Sequence, residues 1–380
     1  MVLVMLYGLL VLLFLAGGVV IWVWLIARLA RGQTIVQWQP RRLVPWGFID
    51  LFFAFVVLVM SSLAAGAMFP IARPVPQPVI LPSPLEVTAE ANGDDRPIAE
   101  PAVKPRQIEL LKQLSLPDAR QLVAMDCAIK AITAVIVFAF ISLRLRPTMD
   151  DWGLSLQHWQ ADWQLGAGTF LATFIPMMLL QLILVQVVGW KYEHPLIELA
   201  KSKDIPFFAL AFLSAVIMAP LFEEFVFRGL IQGWLDKLFS GQAAGESILL
   251  GSRIESSPAP SSAAMPAVEG EVVFIDDRPD NSYAAPSAYA AAAAVPLSPT
   301  PATTTSQTSW LSIAISAIIF SLLHYSQGPA WIPLLIFGAA LGFVYQRTHR
   351  LWPGIIAHFL LNGQTMVGLL VQTFFGPAGQ

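Results

Sequence analysis

From Leu3 to Ile26 the chain carries no charged side chain, and as a helix rising 1.5 Å per residue such a run crosses about 30 Å of hydrocarbon. This segment restricts the fold to structures that satisfy their own backbone inside a bilayer. Arg28 and Arg31 close the run. A cleaved signal peptide would carry its positive charge before a shorter apolar stretch, so a retained helix with its amino end outside is expected. Further apolar stretches follow at Trp46 to Phe69, Met125 to Leu143, Leu165 to Trp190, Ile205 to Phe222, Trp310 to Leu323, Trp331 to Tyr345 and Pro353 to Phe375. The expected fold is an all-α polytopic membrane protein, a bundle of about eight transmembrane helices with a polar intramembrane cavity.

Composition excludes whole classes of function. Charged residues make up 12% of the chain, against roughly 25% in soluble domains, which argues against a soluble enzyme. Lys and Arg number 22 and Asp and Glu 25, so no basic excess exists to neutralise a phosphate backbone and nucleic acid is not an expected partner. Cys127 is the sole cysteine. It can form neither an internal disulfide nor a cysteine-based metal site.

The chain divides into five segments: N-terminal helices over 1–69, a proline-rich extramembrane loop over 70–123, a helical core over 124–239, a low-complexity insert over 240–309, and a second helical core over 310–380. The loop, from Pro70 to about Arg106, is punctuated by prolines, and the insert is rich in Ser, Pro, Ala and Thr. Such compositions bury too little apolar surface to order themselves, so both are expected to be extended or disordered. Arg28, Arg31, Arg41 and Arg42 in the first loop, Arg144 and Arg146 in the third and Arg347 and Arg350 in the seventh assign those loops to the cytoplasm of a plasma (inner) membrane protein. Lys191, Lys201 and Lys203 in the fourth loop oppose the alternation. Trp152, Trp159 and Trp163, set among acids and amides, read as an amphipathic segment at the headgroup level, and His158, His194 and His349 as interfacial polar residues.

Ionisable residues within membrane helices cost about 2.5–3.5 kcal/mol each on insertion scales and usually face a partner or a wet cavity. The fifth apolar run reads Ala219-Pro220-Leu221-Phe222-Glu223-Glu224-Phe225-Val226-Phe227-Arg228. Glu224 and Arg228 are four apart and face one another, while Glu223 is rotated by about 100°. Arg228 therefore neutralises Glu224 in a structural ion pair. Glu223 points elsewhere, free to act as a general base. Pro220 disturbs the preceding turn. The bland alternative is a charged helix end meeting the cytoplasm near Asp236 and Lys237. The sixth run ends in Phe320-Ser321-Leu322-Leu323-His324, with Phe320 one turn before His324. The eighth carries His358 and Asn362 on one face. A histidine and an asparagine so placed can donate two hydrogen bonds to one point, as an oxyanion site requires; a polar seam between helices is the alternative.

Paired glutamates followed by arginine (Glu223, Glu224, Arg228), Phe-x-x-x-His (Phe320 to His324) and His-x-x-x-Asn (His358 to Asn362) occur in that order. The chain thereby resembles the CAAX protease and bacteriocin-processing (Abi) family of intramembrane proteases, which includes the type II CAAX prenyl endopeptidases. The resemblance covers roughly residues 152 to 365. It implies an intramembrane endopeptidase in which Glu223 and His324 activate water and His358 and Asn362 hold the oxyanion, with Glu224 and Arg228 architectural. Its partners would be the lipid bilayer and a membrane-associated protein or peptide, prenylated or bearing a leader. A non-catalytic scaffold or immunity-type protein that binds another membrane protein is the alternative. No cofactor is favoured, because His-Glu-x-x-His spacing is lacking and Asn362 suits an oxyanion role for His358; the alternative is zinc held by Glu223, His324 and His358.

Overall fold

The computed structural model describes residues 2–39, 43–70, 115–190, 200, 202–253 and 309–376, and every regular element among them is helical. In order these are α1 (Val2–Ala30), α2 (Phe48–Met68), α3 (Leu116–Leu145), α4 (Trp159–Gln186), α5 (Ile205–Phe239), α6 (Gly245–Leu250), α7 (Trp310–Leu322), α8 (Trp331–Thr348) and α9 (Trp352–Phe375). A 3₁₀ segment, Tyr325–Ala330, joins α7 to α8. Seven of the helices are long and apolar enough to cross a membrane, the 3₁₀ end at Gly328 being counted with α8, while α7 is apolar but shorter. The bundle of about eight helices is thus observed, and each apolar stretch has its helix.

Capping fixes several starts. Ser115 accepts a hydrogen bond from the Asp118 N–H ahead of Pro117, so α3 begins at Leu116, well before the apolar stretch from Met125. The early turns of α3 carry charge that is paired: Arg120 with Asp204, and Asp126 with Lys130 at 2.6 Å and with the Ser214 hydroxyl. Asp204 in turn caps α5 by accepting from Phe207 N–H at 2.7 Å. Arg120 thus ties two helix starts together at one end of the bundle, where the Gln121 amide also meets Phe69 O. At the opposite end Arg144 binds the buried Asp50 and donates to Leu250 O at 2.7 Å. Helix α9 starts near this second end, with Leu351 N–H donating to Gly153 O, and runs toward the first, where the Gln364 amide meets the Tyr7 hydroxyl at 2.8 Å. Helix α1 consequently begins at the Asp204 end. Arg28, Arg31, Arg144, Arg146, Arg347 and Arg350 collect at the other.

Two features of α1 explain its seat. Pro176 lies inside α4 and has no N–H for Ala172 O; the indole of Trp22 donates to that carbonyl at 2.9 Å. At Gly18 a Cβ would come 2.8 Å from Ile175 Cδ1, so the lack of a side chain lets the helices approach.

The structure differs from expectation in particular places. Trp152 does not lie at a headgroup surface: it is 1% exposed and stacks between Trp46 and Phe138, because the turn before α4 folds into the bundle and Gly153, at φ +70°, packs on the 349–351 backbone. Trp159 and Trp163 are exposed as expected. His349 is buried between the rings of Trp38 and Tyr345 at the left-handed end of α8, whereas His158 is exposed. The first residues of the expected insert form α6, which is held by Trp234 Nε1 donating to Ile248 O. Residues 71–114 and 254–308, and with them most of the expected loop and insert, lie outside the described residues, as do Arg41, Arg42, Lys191, His194 and Lys201.

Candidate active site

Helix α5 is α-helical only in part. Leu213–Met218 and Phe225–Gln232 are π-helical and bracket the α-turns that carry Glu223 and Glu224. Ala219 N–H donates to Ser214 O, five residues back. The next donor in that register would be residue 220, which is proline and has none. Ala215 O instead accepts a hydrogen bond from Asn362 Nδ2 of α9 at 2.7 Å.

Beyond this distortion, α5 and α8 meet in register. Arg228 Nη2 donates to Gly338 O at 3.1 Å and Gln232 Nε2 to Gly342 O at 2.8 Å, while Gln346 Nε2 donates to Asp236 at 3.0 Å. Each pair is 110 positions apart. Gly338 and Gly342 form a GxxxG surface, and a Cβ at Gly342 would lie 2.9 Å from Gln232 Oε1. In hydrocarbon, packing and hydrogen bonds hold helices together, so small residues that expose carbonyls suit this contact.

The ladder sets Arg228, which is 1% exposed and ion-paired with the fully buried Glu224 at 3.2 Å. The guanidinium also lies 4.6 Å over the Phe320 ring. The same Glu224 oxygen faces His358 Nδ1 at 3.3 Å. Glu224 can approach α9 because residue 354 is glycine: a Cβ there would sit 2.6 Å from Glu224 Oε2. Phe320 and Phe337 wall the His358 ring at centroid distances of 5.7 and 5.6 Å.

Glu223 faces the other way, as its rotation from Glu224 demands. Its Oε2 lies 3.9 Å from His324 Nε2 and 3.9 Å from His358 Nε2. His324 Nδ1 lies 2.9 Å from Phe320 O, which can only accept, so Nδ1 carries a hydrogen. His358 Nδ1 likewise donates toward the Glu224 carboxylate. In the neutral rings both Nε2 atoms therefore present lone pairs to Glu223 Oε2, itself buried without a hydrogen bond. Ring acceptors from the end of α7 and from α9 thus flank Glu223 Oε2 of α5, and a water molecule satisfies such a set. The donor types suit zinc. Among the described residues, however, no group of three or more His, Cys, Asp or Glu is arranged to hold a metal ion.

Glu223, Glu224, Arg228, His324 and His358 thus come together, and Asn362 stands one turn along α9 with one amide hydrogen committed to Ala215. Gly338, Gly342, Gly354 and Gln232, which shape the site, were not singled out from the sequence; the GxxxG spacing of the first two is the signal that could have found them.

A multi-pass helical membrane protein with a carboxylate–histidine centre inside the bundle is the class that this arrangement defines. The profile of the Rce1-like, type II CAAX prenyl endopeptidase family matches residues 205–254 and 299–364. Those two segments hold all the motif residues, and over them the chain is similar to that family of membrane proteases. No curated protein and no solved structure matches the chain.

Proposed function

We propose that the chain is an intramembrane endopeptidase that hydrolyses peptide bonds of membrane-associated proteins, prenylated or leader-bearing ones included. The observation that carries this reading is the position of Glu223 Oε2, 3.9 Å from the Nε2 atoms of both His324 and His358. A water molecule between them donates its two hydrogens to Glu223 and His324 and turns a lone pair toward the scissile carbonyl. Glu223 takes the proton and returns it to the leaving amine.

His358 acts on the developing oxyanion as the imidazolium, because its neutral Nε2 has no hydrogen to give. Glu224, opposite Nδ1, orients the ring and opposes its positive charge. Asn362 lends its second amide hydrogen to the same oxygen. If zinc is bound, Glu223, His324 and His358 would hold it, and the ion would supply Lewis-acid polarisation.

The protein is further read as a multi-pass component of the plasma membrane with its N-terminus outside, supported by the arginines gathered at the end of the bundle opposite the start of α1. The decisive experiment compares membrane proteomes of cells carrying wild-type protein and Glu223→Gln for new protein termini. Termini that appear only with the wild type support proteolysis, and identical profiles favour a scaffold.

A further inference from the structure

Helix α7 has 13 residues, about 20 Å of helix against about 30 Å of hydrocarbon. Its neighbours continue past the point where it stops. Phe320, Gly338 and Arg228 share one level through the Arg228–Gly338 bond and the Arg228–Phe320 contact, so His324, a turn later, lies level with Glu223 and Glu224. From there α5 extends back to Ile205, about 27 Å, and α9 runs from His358 to Phe375, about 25 Å. The Asp236 rung lies three turns the other way, about 17 Å. The turn between α7 and α8 therefore sits near mid-depth.

That turn is poorly suited to lipid. Tyr325–Ala330 is 3₁₀-helical, with Gly328 at φ +73°. Leu323 and Tyr325 are each 67% exposed, and Ser326 is exposed. Irregular backbone at membrane depth persists only where protein buries it or water reaches it; protein covers Pro329 and half-buries Gly328 and Ala330, but leaves Leu323, Tyr325 and Ser326 uncovered. Within the site, Glu223 and His324 are 16% and 18% exposed, while Glu224, Arg228 and His358 are at most 3% exposed. The site opens on the side of the turn.

We propose that α7 and α8 form a re-entrant hairpin whose tip, His324 to Ala330, lies in a water-filled recess entered from the end of the bundle where α1 begins. The recess supplies water to Glu223, a role that rests on the proteolytic reading; the hydration itself does not. The single cysteine makes the test direct. In full-length Cys127→Ser protein in sealed vesicles, Ser326→Cys and, independently, Tyr325→Cys are treated with a membrane-impermeant charged maleimide, with Ile318→Cys on the exposed flank of α7 as the hydrocarbon control. Thiols kept in hydrocarbon stay protonated and react slowly, so the tip positions should label at least ~10-fold faster than Ile318→Cys, from the face that exposes an N-terminal tag. Labelling no faster than the control, or only from the opposite face, overturns the proposal. Cleavage is not measured, so failure of the proteolytic reading leaves this result standing.

Discussion

Asn362 supplies to Ala215 O the hydrogen bond that Pro220 cannot make. The proline opens the π-helical register of α5 just before the paired glutamates, and α9 closes the gap from outside. Asn362→Ala should therefore leave a buried carbonyl unpaired and cost about 1 kcal/mol. Pro220→Ala in the same molecule returns an N–H and should recover most of the loss in thermal unfolding in detergent. If Asn362 also serves the oxyanion, the double variant regains stability and keeps a depressed kcat; recovery of both would assign the residue to structure alone.

Glu223→Gln preserves shape but cannot take a proton. Turnover should vanish with no change in the unfolding midpoint, and wild-type cleavage by this variant would remove Glu223 from the base role. Glu224→Gln and Arg228→Ala each strand a buried partner, which costs about 3–5 kcal/mol. They should lower folded yield, as measured by monodisperse recovery after detergent extraction.

Gly354→Ala places a methyl group where Glu224 Oε2 now packs. The carboxylate must shift, and its hold on Arg228 and His358 with it. A stability loss of about 1–3 kcal/mol is expected for such overpacking, together with a fall in kcat larger than any rise in KM. Unaltered kinetics would show that Glu224 does not orient His358.

The hydrogen bond from Arg120 holds the Asp204 carboxyl below its ordinary range. A carboxyl so lowered contributes stability above its unfolded value, about 3.9, and loses it as pH falls through the folded value. Wild-type protein should lose thermal stability below about pH 4, and Asp204→Asn should flatten that part of the profile. Parallel curves for the two proteins would exclude this link.

Protein treated with a strong chelator should retain cleavage, and His358→Ala should lower kcat more than it raises KM, since oxyanion stabilisation acts in the transition state. Zinc bound stoichiometrically, with activity lost on its removal and restored on its return, would instead make Glu223 a ligand.

Much of this protein was legible in its sequence because helical periodicity is local. Uncharged runs such as Leu3 to Ile26 had no option but to become spanning helices, and a four-residue step already brought Glu224 to Arg228 and turned Glu223 away. The three motifs could be recognised on the same grounds. Relations between helices have no such local rule. Glu224 and His358 are 134 positions apart, and their meeting depends on how α5 and α9 cross, which glycines such as Gly354 permit and no periodicity announces. The same holds for Asn362, whose face was predictable but whose partner, Ala215 O, exists only because Pro220 leaves a π-helical turn without a donor. Trp152 looked interfacial by its neighbours in sequence and became core because its turn packs against residues 349–351. Local pattern determined which residues are helical and polar; the crossing of the helices decided which polar groups share a point, because only tertiary packing sets the few ångströms on which hydrogen bonds and proton transfer depend.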